Sequence, residues 1–133
     1  MTVHVCVRSG RTNLAAAFRL VRTDVFTSAH GARSGVARVI VAMTTTPSLN
    51  ETETVQEAQL LRRAGVAIIG VGIGDTVSHS ELDGVVSYPA ARNAFYVDDY
   101  SQLTNYVNDV VSSQCNSAQQ QCFFVVNLNW NAK

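Results

Sequence analysis

Short apolar runs alternate with amphipathic segments along the chain, which predicts alternating strands and helices. The clearest strand is Val36–Met43, an almost unbroken apolar run that is too short for a buried helix and is typical of a central parallel strand. Val66–Val71 is predicted as the next buried strand and Ala94–Val97 as a third. A weaker alternation over Val3–Val7 predicts a short strand at the start of the chain.

Four segments between and after these strands have helical periodicity. The first begins near Thr12 or Asn13, which are N-cap candidates, and should end before Gly31. The others are Glu51–Ala64, a segment from Ser78 or Ser80 to Val86, and Ser101–Ser113. In Glu51–Ala64, acidic residues occupy the first turn, arginines the last, and a glycine follows, each of which favours the helix dipole or its cap.

The order of these elements indicates an α/β fold with a doubly wound, mostly parallel sheet and helices on both faces. Residues 1–115 are interpreted as one domain and residues 116–133 as a linker with an unassigned apolar tail. The tail, Phe123–Trp130, is expected to belong to none of the preceding units: it is either the start of a following module or a non-native end.

Composition narrows the function classes. The chain of 133 residues is 47% hydrophobic and 15% charged, which is typical of a folded single domain. Ten basic residues balance ten acidic ones, so nothing indicates a nucleic-acid partner or an anionic membrane surface. The longest apolar stretch, Ala64–Ile73, is too short to span a bilayer. No secretion signal is recognisable, and an extracellular protein would need one upstream.

Three stretches, in this order and at these separations, resemble the von Willebrand factor type A domain, an adhesion module found in integrins and matrix proteins. They are Gly10-Arg11-Thr12-Asn13 leading into Val39-Ile40-Val41, Ala64-Gly65-Val66 followed by Ile69-Gly70-Val71-Gly72-Ile73-Gly74, and Phe95-Tyr96-Val97-Asp98-Asp99-Tyr100. The resemblance implies a Rossmann-like doubly wound sheet that lacks the family's first strand and helix. It also implies a ligand site at the carboxyl ends of the central strands.

Intact family members hold Mg²⁺ or Mn²⁺ at that site through an Asp-x-Ser-x-Ser, a threonine and the aspartate of a Thr-Asp-Gly. Thr12 matches the threonine, but Thr44-Thr45-Thr46 stands where Thr-Asp-Gly is expected, and no counterpart of Asp-x-Ser-x-Ser is recognised. Because Mg²⁺ is usually held by one or two carboxylates, we expect a degenerate metal-ion-dependent adhesion site with no bound cofactor, Thr12 being a vestige. Thr12, Thr45, Thr46 and Asp75 form the predicted ligand-binding rim.

The resemblance implies an extracellular, secreted or cell-surface adhesion module whose partners are collagens, matrix glycoproteins or receptors. One alternative is a structural module that packs against neighbouring type A domains and has no separate ligand. Another is a nucleotide-dependent enzyme using Gly70, Gly72 and Gly74, which we disfavour because no helix opens directly at the last glycine. We predict no enzymatic activity, since no catalytic cluster is recognisable.

Two covalent features are also predicted. Asn50-Glu51-Thr52 is an N-glycosylation sequon on the predicted rim, although a chance tripeptide at a helix start is equally compatible with it. The resemblance implies that Cys115 closes the domain by a disulfide, for which Cys6 is a substitute partner; buried free thiols are the alternative.

The family's first strand lies between its second strand and the strand matched by Val36–Met43. We therefore expect either that Val3–Val7 takes the vacant position or that a hydrophobic strand edge is left exposed. Residues 1–115 alone should be marginally stable, so a cooperative melt well above about 60 °C would contradict this view.

Overall fold

The structure is a computed structural model that describes residues 3–6, 13–25, 37–99, 101–102, 105 and 120–127. Its strands are β1 Val3–Cys6, β2 Ala37–Thr44, β3 Ala67–Ile73, β4 Ala94–Val97 and β5 Gln120–Asn127. Its helices are α1 Leu14–Leu20, which continues as a π-helical turn over Val21–Val25, α2 Glu51–Arg63, α3 His79–Val85 and the short α4 Ala90–Asn93.

The five strands form one sheet in the order β1-β5-β2-β3-β4, and every neighbouring pair is parallel. Strand β2 pairs over six residues with β3 and over eight residues with β5. The α/β class and the parallel sheet expected from the sequence are therefore confirmed. The strand predicted over Val66–Val71 begins one residue later and ends two residues later, at Ile73.

Strand β5 corrects two expectations from the sequence. It pairs with β2 on one side and with β1 on the other, so it occupies the position that the resemblance left vacant. Neither Val3–Val7 nor an exposed edge of β2 is found there. The expectation that the apolar tail belongs to none of the preceding units is therefore wrong over residues 123–127. The reason is that backbone groups at the β2 edge need partners, and this apolar segment supplies them.

Side chains at the helix starts account for where the helices begin. Asn13, one of the two predicted caps, accepts a hydrogen bond through Oδ1 from the Ala16 amide. Asn50 does the same for the Glu53 amide, and Ser78 Oγ accepts from the Glu81 amide. Each satisfies an amide that the helix itself leaves unpaired.

Two helix predictions lie partly outside the described residues. The first predicted helix was expected to end before Gly31; the structure describes it as helical to Val25, and residues 26–36 lie outside the description. For the last one, Ser101, Gln102 and Asn105 are helical and the rest of Ser101–Ser113 lies outside the description. The short helix α4 follows Pro89 and was missed, because four residues are too few to show helical periodicity.

The main hydrophobic cluster joins α1, α2 and α3 to one face of the sheet. Its centre is Phe18, Leu61 and Ile68, which are fully buried. Val41 and Val71, which point to the other face of their strands, are also buried. Both faces of the central strands are thus covered, as their unbroken apolar sequence indicates. Ion pairs of Arg19 with Glu53 and of Arg22 with Glu57 tie α1 to α2 beside this cluster.

Candidate functional site

The carboxyl ends of β2, β3 and β5 meet at one edge of the sheet, which we call the crevice edge. Thr44, the last residue of β2, is in register with Gly72 of β3 and with Asn127, the last residue of β5. Ligand sites of open parallel sheets form at this kind of edge. Thr44 to Asn50 then lead to the start of α2, so this loop forms one wall of the crevice edge.

Hydrogen bonds fix the threonines of this loop. Thr44 Oγ1 donates to the Thr46 carbonyl over 3.0 Å, and Thr76 Oγ1, after β3, donates to the Thr45 carbonyl over 2.7 Å. Thr45 is only 7% exposed, while Thr46 is half-buried. The loops after β2 and β3 are therefore joined directly, and the role of Thr45 and Thr46 in binding a ligand stays a prediction.

Glu81, in helix α3, holds the same loop through a hydrogen bond. Its Oε2 accepts a hydrogen bond from the Ser48 amide over 2.9 Å, and the residue is 6% exposed. Burial raises the pKa of Glu81, the hydrogen bonds from Ser48 partly offset that effect, and the nearby Glu51 carboxylate raises the pKa further. This carboxylate therefore holds the loop in place and is committed to the Ser48 amide.

Two other predicted residues are at the rim and accessible. Asp75 follows Gly74 at the end of β3 and is exposed. Asn50 is exposed, and its Oδ1 caps α2. Thr52, which completes the sequon of Asn50, is also exposed. Glycosylation of Asn50 stays a prediction; the cap uses the amide oxygen, and a glycan is attached to the amide nitrogen.

Three predicted residues cannot be placed at the site. Thr12 and Cys115 lie outside the described residues, and only the backbone of Cys6 is described, in β1. The disulfide between Cys6 and Cys115 and the vestigial role of Thr12 therefore stay predictions.

The glycine run has a packing role that accounts for two of its members. A Cβ atom on Gly70 would lie 2.6 Å from Cδ1 of Leu82, and one on Gly72 would lie 2.9 Å from Cδ1 of Tyr96. Gly74 has a φ of +86°, a left-handed conformation that favours glycine. The run thus allows α3 and β4 to approach β3 closely and lets the chain turn, and these constraints explain the glycines without a nucleotide.

The described part of the crevice edge offers hydroxyls and amides more than charge. Across residues 3–6, 13–25, 37–99 and the shorter described segments, no three His, Cys, Asp or Glu side chains are grouped so as to hold a metal ion. The sequence resemblance matches Thr45 of the β2 loop to the position of a carboxylate ligand. A hard divalent cation fits this donor set poorly, because neutral hydroxyls do not offset the cost of removing its water.

Sequence reasoning missed three features of this edge. Leu49 is 61% exposed on the loop and is a candidate contact for a protein partner. Glu81 was treated only as part of a helix, although its burial decides the loop conformation. Asn127 ends the central strand β5, and the Asn-x-Asn-x-Asn of residues 127–131 has the spacing of the family's Asp-x-Ser-x-Ser. That spacing was the signal available in the sequence.

Comparison with known proteins identifies the family. The model of the von Willebrand factor type A domain matches residues 5–109. The chain belongs to the von Willebrand factor type A domain family. Its relatives include the collagen alpha-4(VI) chain of Mus musculus, 32% identical over 110 residues, or 81% of this chain and 5% of that protein. Integrin alpha-M of Mus musculus is 31% identical over 110 residues, or 77% of this chain and 9% of the integrin.

A third relative, the collagen alpha-1(XII) chain of Notophthalmus viridescens, is 27% identical over 112 residues, covering 84% of this chain and 12% of that protein. This type A chain thus spans only a small part of each relative. Among solved structures, proximal thread matrix protein 1 from the mussel byssus, with a zinc-occupied adhesion motif, has a TM-score of 0.71 at 23% identity. The matched region covers 77% of this chain and 26% of the mussel protein's chain, and the likeness supports the fold.

These type A relatives are matrix collagens and a cell-surface integrin, so the adhesion and matrix context expected from the sequence is confirmed at the level of the family. In the described residues, no helix is long and apolar enough to cross a membrane.

Proposed function

We propose that this type A chain is an extracellular protein-binding module of a matrix or cell-surface protein, and that it binds without a divalent cation at the crevice edge. The observation that carries the proposal is Thr45: a nearly buried neutral residue on the β2 loop, where the family uses a carboxylate. Recognition then depends on shape and polar contacts of the rim.

Leu49 supports a protein partner rather than a small ligand. An apolar side chain that is 61% exposed on a loop held by Glu81 and Thr76 is presented on a preorganised surface. A side chain on a loop that is already held in place loses less conformational freedom on binding, which favours affinity. Collagens, matrix glycoproteins and receptors are the partner class, in keeping with the relatives.

The experiment is surface plasmon resonance of the chain against a panel of purified collagens and matrix glycoproteins, in Mg²⁺ and in EDTA. We expect equal affinity in both buffers, and at least a tenfold loss for Leu49→Ser because an interface anchor is removed. Leu60→Ser is the matched control, since Leu60 is 41% exposed on α2, beyond the loop.

Two results would contradict the proposal. One is binding that EDTA abolishes. The other is tight, stoichiometric uptake of Mg²⁺ or Mn²⁺ in calorimetry that disappears in Thr12→Ala, because this result would show that the unsubstituted chain has a working metal site.

A second candidate function is a structural module within a tandem array of type A domains. It is favoured by the small share of each collagen or integrin relative that the chain covers, 5%, 9% and 12%, because the matching domain is one part of a long protein there. Binding to a neighbouring type A domain, with no response across the panel, would favour this candidate over the first.

A further inference from the structure

Strand β5 is the last described element in the sequence and yet lies inside the sheet. It pairs in parallel with β1 over four residues and with β2 over eight. Within the described sheet, β5 is also the only neighbour of β1. The slot between β1 and β2, which we call the strand slot, therefore depends on a segment that is distant in sequence from β2.

Parallel pairing means that no hairpin connects β5 to either of its neighbours. Its connection to β4 is residues 98–119, which is 22 residues long. With the predicted helix over Ser101–Ser113 spanning about 20 Å and the other nine residues extended over about 30 Å, this connection still reaches farther than the three strand spacings, or about 14 Å, that separate β5 from β4 across the sheet. The connection is long enough for the strand to reach a slot in its own molecule or in another one.

We propose that the strand slot is an intermolecular site that accepts residues 120–127 of a second copy of this chain, giving a strand-exchanged dimer. The second copy is the fitting occupant because its strand has the sequence and register that already fill the slot. Closed and exchanged forms make the same strand pairs, so their balance depends on chain connectivity and concentration. This interface needs no ligand at the crevice edge, and it goes beyond the proposed function.

Concentration sets when exchange should occur. A strand tethered to its own molecule competes at an effective concentration on the order of millimolar. Chains folded at about 1 µM should therefore close on themselves, whereas chains folded at about 1 mM should exchange strands in a substantial fraction of molecules.

A disulfide across the slot reports which molecule supplies the strand. Val39 of β2 is in register with Cys122 of β5. Neighbouring strands are about 4.8 Å apart, which is within the Cα separation that a disulfide allows. The probe is Val39→Cys in a chain that also carries Cys6→Ala and Cys115→Ala. The matched control is Val41→Cys in the same background, because residue 41 lies about 6.6 Å farther along the strand, beyond bridging distance from Cys122.

The full-length chain is refolded at both concentrations, oxidised mildly, and analysed on non-reducing gels. We expect Val39→Cys to give an intramolecular disulfide at about 1 µM and disulfide-linked dimers at about 1 mM, with neither product in Val41→Cys. A mixture of a size-tagged and an untagged Val39→Cys chain should give a dimer of intermediate size. Light scattering of the unsubstituted chain, refolded at about 1 mM, should show a dimer of the same mass.

Intramolecular disulfides alone at both concentrations would overturn the proposal. So would the absence of any disulfide in a folded Val39→Cys chain, or a strictly monomeric unsubstituted chain after refolding at about 1 mM.

Discussion

Thr45 and Glu81 together determine how much negative charge the loop after β2 presents at the crevice edge. The resemblance matches Thr45 to the family's carboxylate position, and our proposal of cation-independent binding rests on the neutral hydroxyl at that position. Glu81 has a carboxylate, but that group is buried and accepts a hydrogen bond from the Ser48 amide. The charge of Glu81 therefore shapes the protein's own loop, and Asp75 is the exposed carboxylate among the predicted rim residues that the structure describes.

The raised pKa of Glu81 predicts a specific pH dependence of stability. Burial disfavours the charged form in the folded state, so the stabilising contribution of Glu81 is complete below its ordinary pKa of 4.5 and is lost as pH rises through the raised folded value. Glu81→Gln keeps an oxygen that can accept from Ser48 and removes the charge. We expect Glu81→Gln to be more stable than the unsubstituted chain at pH 7, with the difference shrinking as pH falls toward 4.

Urea unfolding of both chains at several pH values measures this difference in free energy of unfolding. Glu53→Gln, on the more exposed part of α2, tests whether the effect is particular to the buried carboxylate. A Glu81→Gln chain that is less stable than the unsubstituted chain at pH 7 would show that the ionised carboxylate is favourable there.

The predictability of the site depends on how local each signal is. The caps Asn13 and Ser78 act within three residues, so the residue types around a helix start were enough to make both of them candidates. Thr45 was identified because Thr44-Thr45-Thr46 stands where the family's Thr-Asp-Gly motif is expected. Leu49 and Glu81 were not found, because the exposure of the first and the burial of the second depend on how α3 packs against a loop 33 residues away in sequence.

Strand β3 and helix α3 approach each other closely at Gly70. A Cβ atom there would lie 2.6 Å from Leu82 Cδ1 and 2.8 Å from Val86 Cγ1, so these side chains would have to shift. We expect Gly70→Ala to lower the free energy of unfolding by about 1–3 kcal/mol, as overpacking of a core does. Urea unfolding followed by circular dichroism measures the loss.

Gly84→Ala is the matched control for Gly70→Ala. Gly84 lies within α3, where alanine is favoured over glycine by about 1 kcal/mol, and its nearest neighbour, Val55 Cγ2, would be 3.1 Å from the new Cβ. These effects oppose each other, so a change below about 1 kcal/mol is expected. Equal losses in the two variants would mean that close packing at Gly70 is not special.

Element types were predictable and strand order was not. The apolar runs that became β2 and β3 carry their strand signal in a few consecutive residues, and acidic and basic residues at the ends of α2 mark its limits. For β5 the apolar run was noticed, but the residues paired with it are 83 positions away in β2 and 120 positions away in β1. Periodicity reports that a strand will be buried and says nothing about which strands it will join.

For the whole molecule, β5 decides whether the sheet is complete. The strand joins β1 to the rest of the described sheet and covers one edge of β2. Its segment Cys122–Val126 is entirely apolar in sequence, and the strand pairs with all eight residues of β2 and all four of β1. The type A fold of this chain should therefore depend on residues beyond those that the family model matches.

Two shortened chains test this dependence. A chain that ends at residue 127 keeps β5, and one that ends at residue 119 lacks it. We expect the longer chain to melt cooperatively in circular dichroism and the shorter one to show no cooperative transition, because eight residues of β2 lose their neighbour and β1 loses its connection to the sheet. If the shorter chain melts cooperatively within about 5 °C of the longer one, β5 contributes less than about 2 kcal/mol, and a different element must complete the sheet.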